Sequence, residues 1–318
     1  ISGIRRGTTT GAPLTLLIAN RVSNIDSLKP IHRPRPGHAD LAGMLKYGTI
    51  DARALSERAS ARETAARVAV GALAKEILRP FHILLCGFVT RIGALSCPVD
   101  ASTSPAKLRR ARDESIFYFP RPALDRRTRT LVDRARSRGT TLGGIVEIRA
   151  FGVPPGLGSS LQWEEKLDGA IARALLSVQT VKGVEFGLGF DYALRTGAET
   201  MDIIAFKGGR LRRFSNNCGG IEGGMSNGEP IVVRAVAKPI PTQKTPLPSV
   251  DMKLKKNVEA AYERSDICAV PALSVVAEAV VGFEIARAFL EKFGGDTFSE
   301  TRCRYRQYGK QLERMTER

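Results

Sequence analysis

Metal-binding and disulfide patterns are absent from this sequence. Its five cysteines are odd in number and scattered, and no two of them are spaced as C-x-x-C. A disulfide framework or a zinc site is therefore not expected, so we predict no metal and reduced thiols. Histidine is scarce as well, with three residues, so each one can be weighed individually as a candidate for acid–base chemistry.

Long apolar runs and nucleotide-binding fingerprints are also lacking. No run approaches the roughly 18–20 apolar residues of a membrane span, so no membrane partner is predicted. No G-x-G-x-x-G motif follows the first strand, which argues against a Rossmann nucleotide site. No fixed-period repeat or Ser/Gly/Pro-rich linker marks a boundary in the 318 residues. We therefore predict a single domain over residues 1–318.

Positive charge is the most pronounced feature of the composition. The chain has 49 Lys and Arg against 32 Asp and Glu, a formal net charge of +17. Such a balance favours anionic partners, and RNA is the usual suggestion for a basic protein. Aromatic residues make up only 6%, and neither zinc-knuckle spacing nor an aromatic RNA-binding strand is present. We therefore predict small anions and no nucleic acid, and keep a basic RNA-binding protein as the alternative.

The stretch Phe214–Pro230, FSNNCGGIEGGMSNGEP, contains five glycines and three asparagines. These residues tolerate positive φ angles, so the stretch can fold tightly and bring its backbone N–H groups close to a ligand. Strand-like segments lie on both sides, at Met201–Phe206 and Ile231–Ala237. The alternative is a glycine-rich hairpin that binds nothing.

Helical patterns alternate irregularly with strands, which indicates an α+β fold. Apolar spacing predicts a helix over Glu57–Leu78 that Pro80 ends, and a basic amphipathic helix over Arg121–Arg138. Pro271 begins a helix of about two dozen residues that ends near Gly294, and a charged helix is expected from Leu254 onwards. The apolar face of the Pro271 helix is predicted to comprise Val275, Val276, Ala279, Val280 and Phe283.

Four segments carry a resemblance to the chorismate synthase family. The glycine-rich stretch resembles its signature N-x-x-G-G-I-x-G-G-x-[ST]-N-G, which precedes a strand and then K-P, here Lys238–Pro239. Glu57–Leu73, ERASARETAARVAVGAL, is similar to the family's R-[AS]-S-A-R-E-T-A run. Arg264–Glu278 begins RSDIC, like the motif R-[SH]-D-x-[CST], and Arg33–Asp40 reads RPRPGHAD. The resemblance covers nearly the whole chain.

The resemblance implies helices sandwiched between antiparallel sheets, assembled as a homotetramer. The family begins with a strand, a G-E-S-H-G motif and a basic G-R-G-x-M segment, and none of these is present. We therefore expect several tens of N-terminal family residues to be missing, together with any targeting peptide. The expected location is the cytoplasm, with a plastid as the alternative. Gly139–Gly144 reads GTTLGG where the family usually has G-D-S-x-G-G.

The activity implied by the resemblance is an anti-1,4-elimination of phosphate from 5-enolpyruvylshikimate 3-phosphate, which gives chorismate in the shikimate pathway. It requires reduced FMN without net redox change, with NADPH as the suggested reductant. The substrate's phosphate and carboxylates and the FMN phosphate offer a reason for the positive charge. An inactive flavin-binding fragment is the alternative within the family.

The resemblance assigns catalysis to His38, placed against the flavin, and to Asp266, which accepts a proton with Arg264 keeping it ionised. It also assigns substrate binding to Arg62 and Arg264. The residues assigned to the cofactor are Ser60, Ala61, Arg62, Gln179, Thr180, Gly223, Lys238, Pro239, Ile240, Pro241, Thr242 and Arg264. Residue chemistry alone favours a surface histidine at His38 and a capping serine at Ser60, and it allows Asp266 to be a structural partner of Arg264.

Overall fold

The computed structural model describes residues 2–20 and 27–316. The strands are β1 (Ile4–Arg5), β2 (Thr8–Thr9), β3 (Leu84–Ile92), β4 (Leu95–Ser96), β5 (Gly144–Phe151), β6 (Val181–Phe186), β7 (Ile204–Lys207), β8 (Arg210–Arg213), β9 (Ile221–Glu222), β10 (Met225–Ser226), β11 (Ile231–Ala237), β12 (Pro248–Asp251) and β13 (Lys256–Glu259). The α-helices are α1 (Asp40–Tyr47), α2 (Arg53–Arg58), α3 (Thr64–Leu78), α4 (Pro105–Glu114), α5 (Asp125–Ser137), α6 (Leu167–Leu176), α7 (Gly197–Thr200), α8 (Val270–Phe293) and α9 (Phe298–Thr316).

An antiparallel sheet of five strands, in the order β4–β3–β5–β11–β6, lies at the centre of the fold. β11 pairs with β5 from Ile231 opposite Ala150 to Ala237 opposite Gly144. Alternate β11 residues are buried, as expected for a strand with one face towards the core. The strand predicted over Ile231–Ala237 is confirmed, and so is the α+β class.

Helices cover both faces of β3, because its alternating side chains point to opposite sides. Leu85 packs into the main core, to which α8 also contributes, whereas Cys86 and Phe88 pack on Leu108 of α4. The remaining strands among residues 2–20 and 27–316 form four two-stranded sheets. All five cysteines are free thiols, as predicted.

The helix predicted from Pro271 is confirmed as α8, which has 24 residues. The apolar face predicted for it is only partly right: Val276, Ala279 and Val280 are buried, but Phe283 is 44% exposed. α8 also buries residues on most of its circumference. The physical reason is its position, because α8 contacts β3 and β5, and also the helices α3 and α6. Of the helices in the described ranges, none combines the length and apolarity needed to cross a bilayer.

The charged helix predicted from Leu254 is wrong, because β12 and β13 form a hairpin there. The Asp251 carboxylate accepts hydrogen bonds from the backbone N–H groups of Lys253 and Leu254, both at 2.9 Å. Lys255 then takes a φ of 50°. An Asp side chain that bonds its own backbone two residues on stabilises a turn in competition with a helix.

Candidate functional site

The loop that precedes α1 folds around a buried ion pair. Arg35 and Asp40 are 6% and 0% exposed, and the guanidinium binds both carboxylate oxygens, with Nε–Oδ2 at 2.7 Å and Nη2–Oδ1 at 2.9 Å. The Arg35 backbone N–H also donates to Asp40. Gly37 turns the chain between them with a φ of 77°. A bidentate pair of this kind fixes the loop that carries His38.

His38 lies directly on this ion pair. Its Nδ1 is 2.5 Å from Asp40 Oδ1, and its side chain is 17% exposed. Burial alone would raise the pKa of Asp40, but the hydrogen bonds from His38 and Arg35 outweigh it and hold that pKa well below its usual range. His38 is thus a half-buried histidine on an ionised carboxylate, which is an arrangement suited to proton transfer.

Two further contacts bring the segment 238–242 to this loop. The Arg35 guanidinium donates to the Thr242 hydroxyl at 3.2 Å, and to Ser56 of α2 at 2.7 Å. The Lys238 ammonium donates to the carbonyl of Gly37. Burial, followed by repulsion from Lys182, lowers the pKa of Lys238. An anion bound beside this ammonium would favour its charged form.

The predicted helix over Glu57–Leu78 is interrupted where the candidate binding residues lie. α2 ends at Arg58, and Ser60 is extended with ψ at 141° before a short 3₁₀ turn leads into α3. The Ser60 hydroxyl accepts the Arg62 backbone N–H, so the capping role considered for this serine is present. The Arg62 guanidinium pairs with Glu57 at 2.8 Å and stays half-exposed.

The turn between α6 and β6 places Gln179 and Thr180 against these segments. Gln179 Nε2 donates to Glu63 Oε1 at 2.7 Å, directly beside Arg62 in the chain. Thr180 has a φ of 78°, and its carbonyl accepts the Lys238 backbone N–H at 2.9 Å. Gln179 Oε1 is buried and has no hydrogen-bond partner within residues 2–20 and 27–316. A buried acceptor without a donor is costly, so a ligand N–H or O–H fits this position.

The GTTLGG segment, which departs from the family motif, hydrogen-bonds to the segment 238–242 and to Gln243 next to it. The Thr141 hydroxyl donates to the Ile240 carbonyl at 2.7 Å, and Thr140 donates to Gln243 at 2.8 Å. The Ser265 hydroxyl donates to the Thr242 carbonyl at 3.0 Å. These hydroxyls fix the backbone of the segment 238–242, including Pro239 and Pro241, without the aspartate that the family usually has.

Arg264 and Asp266 lie beside this segment, and both are exposed. Their neighbour Ser265 connects them to Thr242, and Leu142 donates to the carbonyl of Ile267 at 2.8 Å. No ion pair within 4 Å joins Arg264 to Asp266 in the described part of the chain. The contact expected between them is therefore absent here, and their functional roles stay predictions.

Gly223 lies away from the other candidate residues. With Gly224 it forms the turn between β9 and β10, at φ angles of 58° and 86°, and a side chain at Gly223 would meet open space. Gly224 accepts the N–H of Leu167 at the start of α6, whereas Gln179 follows the end of that helix. The ten residues of α6 span about 15 Å. Within one chain, Gly223 therefore does not lie beside Lys238.

Asp202, Cys218 and Glu222 are the one group with metal-ligand spacing among the described residues, with ligand atoms within 4.8 Å. Asp202 already accepts the backbone N–H groups of Asn217 and Cys218, and Glu222 accepts a bidentate bond from Arg213. Both carboxylates thus have structural partners, and we assign no metal to them.

The sequence patterns singled out His38, Ser60–Arg62, Gln179–Thr180 and Lys238–Thr242, and the structure brings these together. They missed Arg35, Asp40, Glu63 and Thr141, which hold those residues in place. Asp40 could have been found from its position two residues after His38, because a carboxylate often orients a histidine. Glu63 and Thr141 act across the fold, so local sequence gives no signal for them.

Comparison with known proteins identifies the family. The family model described as chorismate synthase matches residues 1–290. The chorismate synthase of Pelobacter propionicus is 48% identical over 335 residues, covering 99% of this chain and 85% of the relative. That of Desulforudis audaxviator is 50% identical over 328 residues, covering 99% and 83%.

A solved structure gives the same result in three dimensions. A crystal structure of a chorismate synthase superposes with a TM-score of 0.80 at 40% sequence identity, and the match covers 98% of this chain and 83% of that one. The fold, the family model and the sequence identity thus agree over nearly the whole chain. This chain belongs to the chorismate synthase family.

Proposed function

We propose that the chain is a lyase that eliminates phosphate from 5-enolpyruvylshikimate 3-phosphate in a 1,4 sense and so forms chorismate in the shikimate pathway. The observation that carries the proposal is the linkage of Ser60–Arg62, Gln179–Thr180 and Lys238–Thr242 to the loop that carries His38. These segments are far apart in sequence, yet hydrogen bonds through Glu63, Arg35 and Gly37 join them.

Family membership implies a reduced flavin, and we propose FMN. Lys238 and the Thr242 hydroxyl would hold its phosphate, and Ser60 would add a further contact to the cofactor. The Gln179 side chain, whose buried Oε1 has no donor among the described residues, would accept from a ring N–H. When bound, reduced FMN supplies electron density as phosphate leaves, with no net redox change. NADPH is the reductant we propose. The donor set fits an anionic, hydrogen-bonding cofactor of this kind.

The chain's own residues supply charge and proton handling. Arg62 and Arg264 bind the substrate's anionic groups, and a charge-assisted hydrogen bond of this kind is worth about 1.5–3 kcal/mol. Asp266 would accept a proton by way of the bound flavin after the substrate loses its C6 hydrogen. His38 sets the protonation state of the bound ligand through its ring. Pro239 and Pro241 limit the backbone freedom of the segment that binds phosphate.

The proposal extends to the oligomeric state and the cellular location of the protein. Residues 1–318 form a single domain that assembles as a homotetramer in the cytoplasm, without nucleic acid or membrane partners. Large apolar side chains are exposed between residues 190 and 214, including Phe190 at 80%, Leu194 at 82% and Ile203 at 66%. Exposed apolar side chains of this kind support association with other subunits.

Anaerobic titration with reduced FMN tests the proposal. The flavin spectrum should change on binding, and more strongly with 5-enolpyruvylshikimate 3-phosphate present. Lys238→Met should raise the Kd by about 10- to 150-fold, as expected for one charge-assisted hydrogen bond. Lys207→Met, on β7, removes an exposed lysine outside the site and should leave the Kd unchanged. No spectral change at high micromolar protein would contradict the proposal.

A further inference from the structure

The His38 ring is held at one nitrogen by a carboxylate that is itself fully buried. Asp40 is 0% exposed, and its Oδ1 lies 2.5 Å from His38 Nδ1. Among the described residues, Nε2 of the same ring has no hydrogen-bond partner. The two ring nitrogens therefore differ, with one fixed by the protein and the other available to a ligand.

The contacts around Asp40 decide where the ring carries its proton. Arg35 donates to both carboxylate oxygens through its side chain, and also donates its backbone N–H. These donors favour the ionised carboxylate, which can only accept hydrogen bonds. A contact of 2.5 Å between this carboxylate and Nδ1 therefore requires a proton on Nδ1.

Arg35 offers no alternative partner for that nitrogen. Its Nη2 is 3.1 Å from His38 Nδ1, but a guanidinium is a donor only. The same Nη2 already donates to Asp40 at 2.9 Å and to Ser56 at 2.7 Å, which uses both of its hydrogens. Nδ1 therefore donates to Asp40 and accepts nothing from Arg35.

We propose that Asp40 is a positioning residue that fixes the neutral His38 ring as the Nδ1–H tautomer, so that Nε2 alone exchanges a proton with the bound ligand. The inference rests on the role proposed for His38. The ring takes a proton at Nε2 from solvent, becomes charged, and gives that proton to an anionic atom of the ligand. It then returns to the neutral Nδ1–H form, so the proton balance closes.

Replacing Asp40 by asparagine separates this role from a purely structural one. Oδ2 receives two donors from Arg35, its side-chain Nε and its backbone N–H, whereas Oδ1 receives only Nη2 from it, so the amide oxygen should occupy the Oδ2 position. The amide NH₂ then faces His38 Nδ1, which must become an acceptor. Asp40→Asn should therefore switch the ring to the Nε2–H tautomer, the effect known for asparagine beside a catalytic histidine.

The experiment is ¹⁵N NMR of the histidine-labelled full chain without flavin, at a pH where the rings are neutral. The chain has three histidines, and His38→Gln assigns the signal of interest. The parent should show Nδ1 protonated and Nε2 unprotonated, and Asp40→Asn should show the reverse. Asp51→Asn is the matched control. The backbone N–H groups of Ile31 and Arg53 both donate to the same carboxylate oxygen of Asp51, and the carbonyl oxygen of asparagine can accept both of these hydrogen bonds.

An Nε2–H signal for His38 in the parent would overturn the inference, whether or not Asp40→Asn folds. An unchanged Nδ1–H signal in folded Asp40→Asn would overturn it as well. In turnover with reduced flavin, Asp40→Asn should lower kcat by about 100- to 10,000-fold with little change in KM. A parent with the expected tautomer but no turnover would support the positioning role and count against the proposed function instead.

Discussion

Gly71 of α3 lies against Ala279 of α8, and its missing side chain lets the two helices approach closely. A Cβ at Gly71 would lie 2.5 Å from the Cβ and the carbonyl oxygen of Ala279, and 2.6 Å from its Cα. Favourable carbon contacts lie at about 3.5–4.0 Å. Gly71→Ala therefore requires α3 and α8 to separate by about 1 Å.

The net effect on stability follows from two opposing terms. Overpacking a core typically costs about 1–3 kcal/mol, and we take about 3 kcal/mol because the clashes at Gly71 involve backbone atoms of α8. Alanine is favoured over glycine in a helix by about 1 kcal/mol. We therefore expect Gly71→Ala to lower the free energy of unfolding by about 2 kcal/mol.

Gly309→Ala in α9 is the matched control, because a Cβ there would meet nothing within 4 Å. This variant gains only the helix-propensity term, so it should stabilise the protein by about 1 kcal/mol. Thermal unfolding followed by circular dichroism should show a Tm about 4 °C lower for Gly71→Ala and about 2 °C higher for Gly309→Ala. A Gly71→Ala variant that melts at or above the parent would refute the close packing of α3 on α8.

Three further predictions concern charge. Glu278 is 7% exposed and forms ion pairs with Lys75 at 2.5 Å and Arg112 at 2.9 Å. Because Glu278→Gln leaves these cations without their carboxylate, it should destabilise the protein by about 3–5 kcal/mol. An unchanged midpoint of urea unfolding would contradict this prediction. The pKa of Asp40 is depressed in the folded state, so its contribution to stability is present above about pH 4 and is lost as the pH falls further. Stability below pH 4 should therefore fall less steeply for Asp40→Asn than for the parent, and equal slopes would argue against the ion pair. Anisotropy with a labelled RNA at physiological salt should show weak binding that depends steeply on salt, and tight, sequence-selective binding would contradict the assignment of the +17 charge to small anions.

Elements with a strong local signal could be predicted from the sequence. The strand-like segment Ile231–Ala237 and the Pro271 start of α8 both correspond to observed elements. The break at Ser60 and the hairpin after Asp251 were missed, because in each case a side-chain hydrogen bond to the backbone competes with helix. Such competition depends on single contacts that apolar periodicity does not report.

The candidate site was predictable as a set of segments, whereas its internal contacts were not. Motif resemblance named His38 and Lys238, but it could not indicate that Gly37 and Arg35 connect the loops that carry them. Nor could it reveal that the length of α6 separates Gly223 from the Gln179 end of that helix. Spatial proximity of this kind is set by the register of β11 and by the packing of α8, which only the folded structure shows.

The elimination reaction itself provides the most direct test of the proposed function. The protein is mixed anaerobically with reduced FMN and 5-enolpyruvylshikimate 3-phosphate, and chorismate and phosphate are measured together. Equal amounts of both products should form only while the flavin is reduced. Asp266→Asn should lower the rate by about 100- to 10,000-fold while flavin binding and Tm stay near the parent values. Near-normal turnover by folded Asp266→Asn would rule out the catalytic role of Asp266. Phosphate release without chorismate, or no phosphate release at all, would contradict the proposed function.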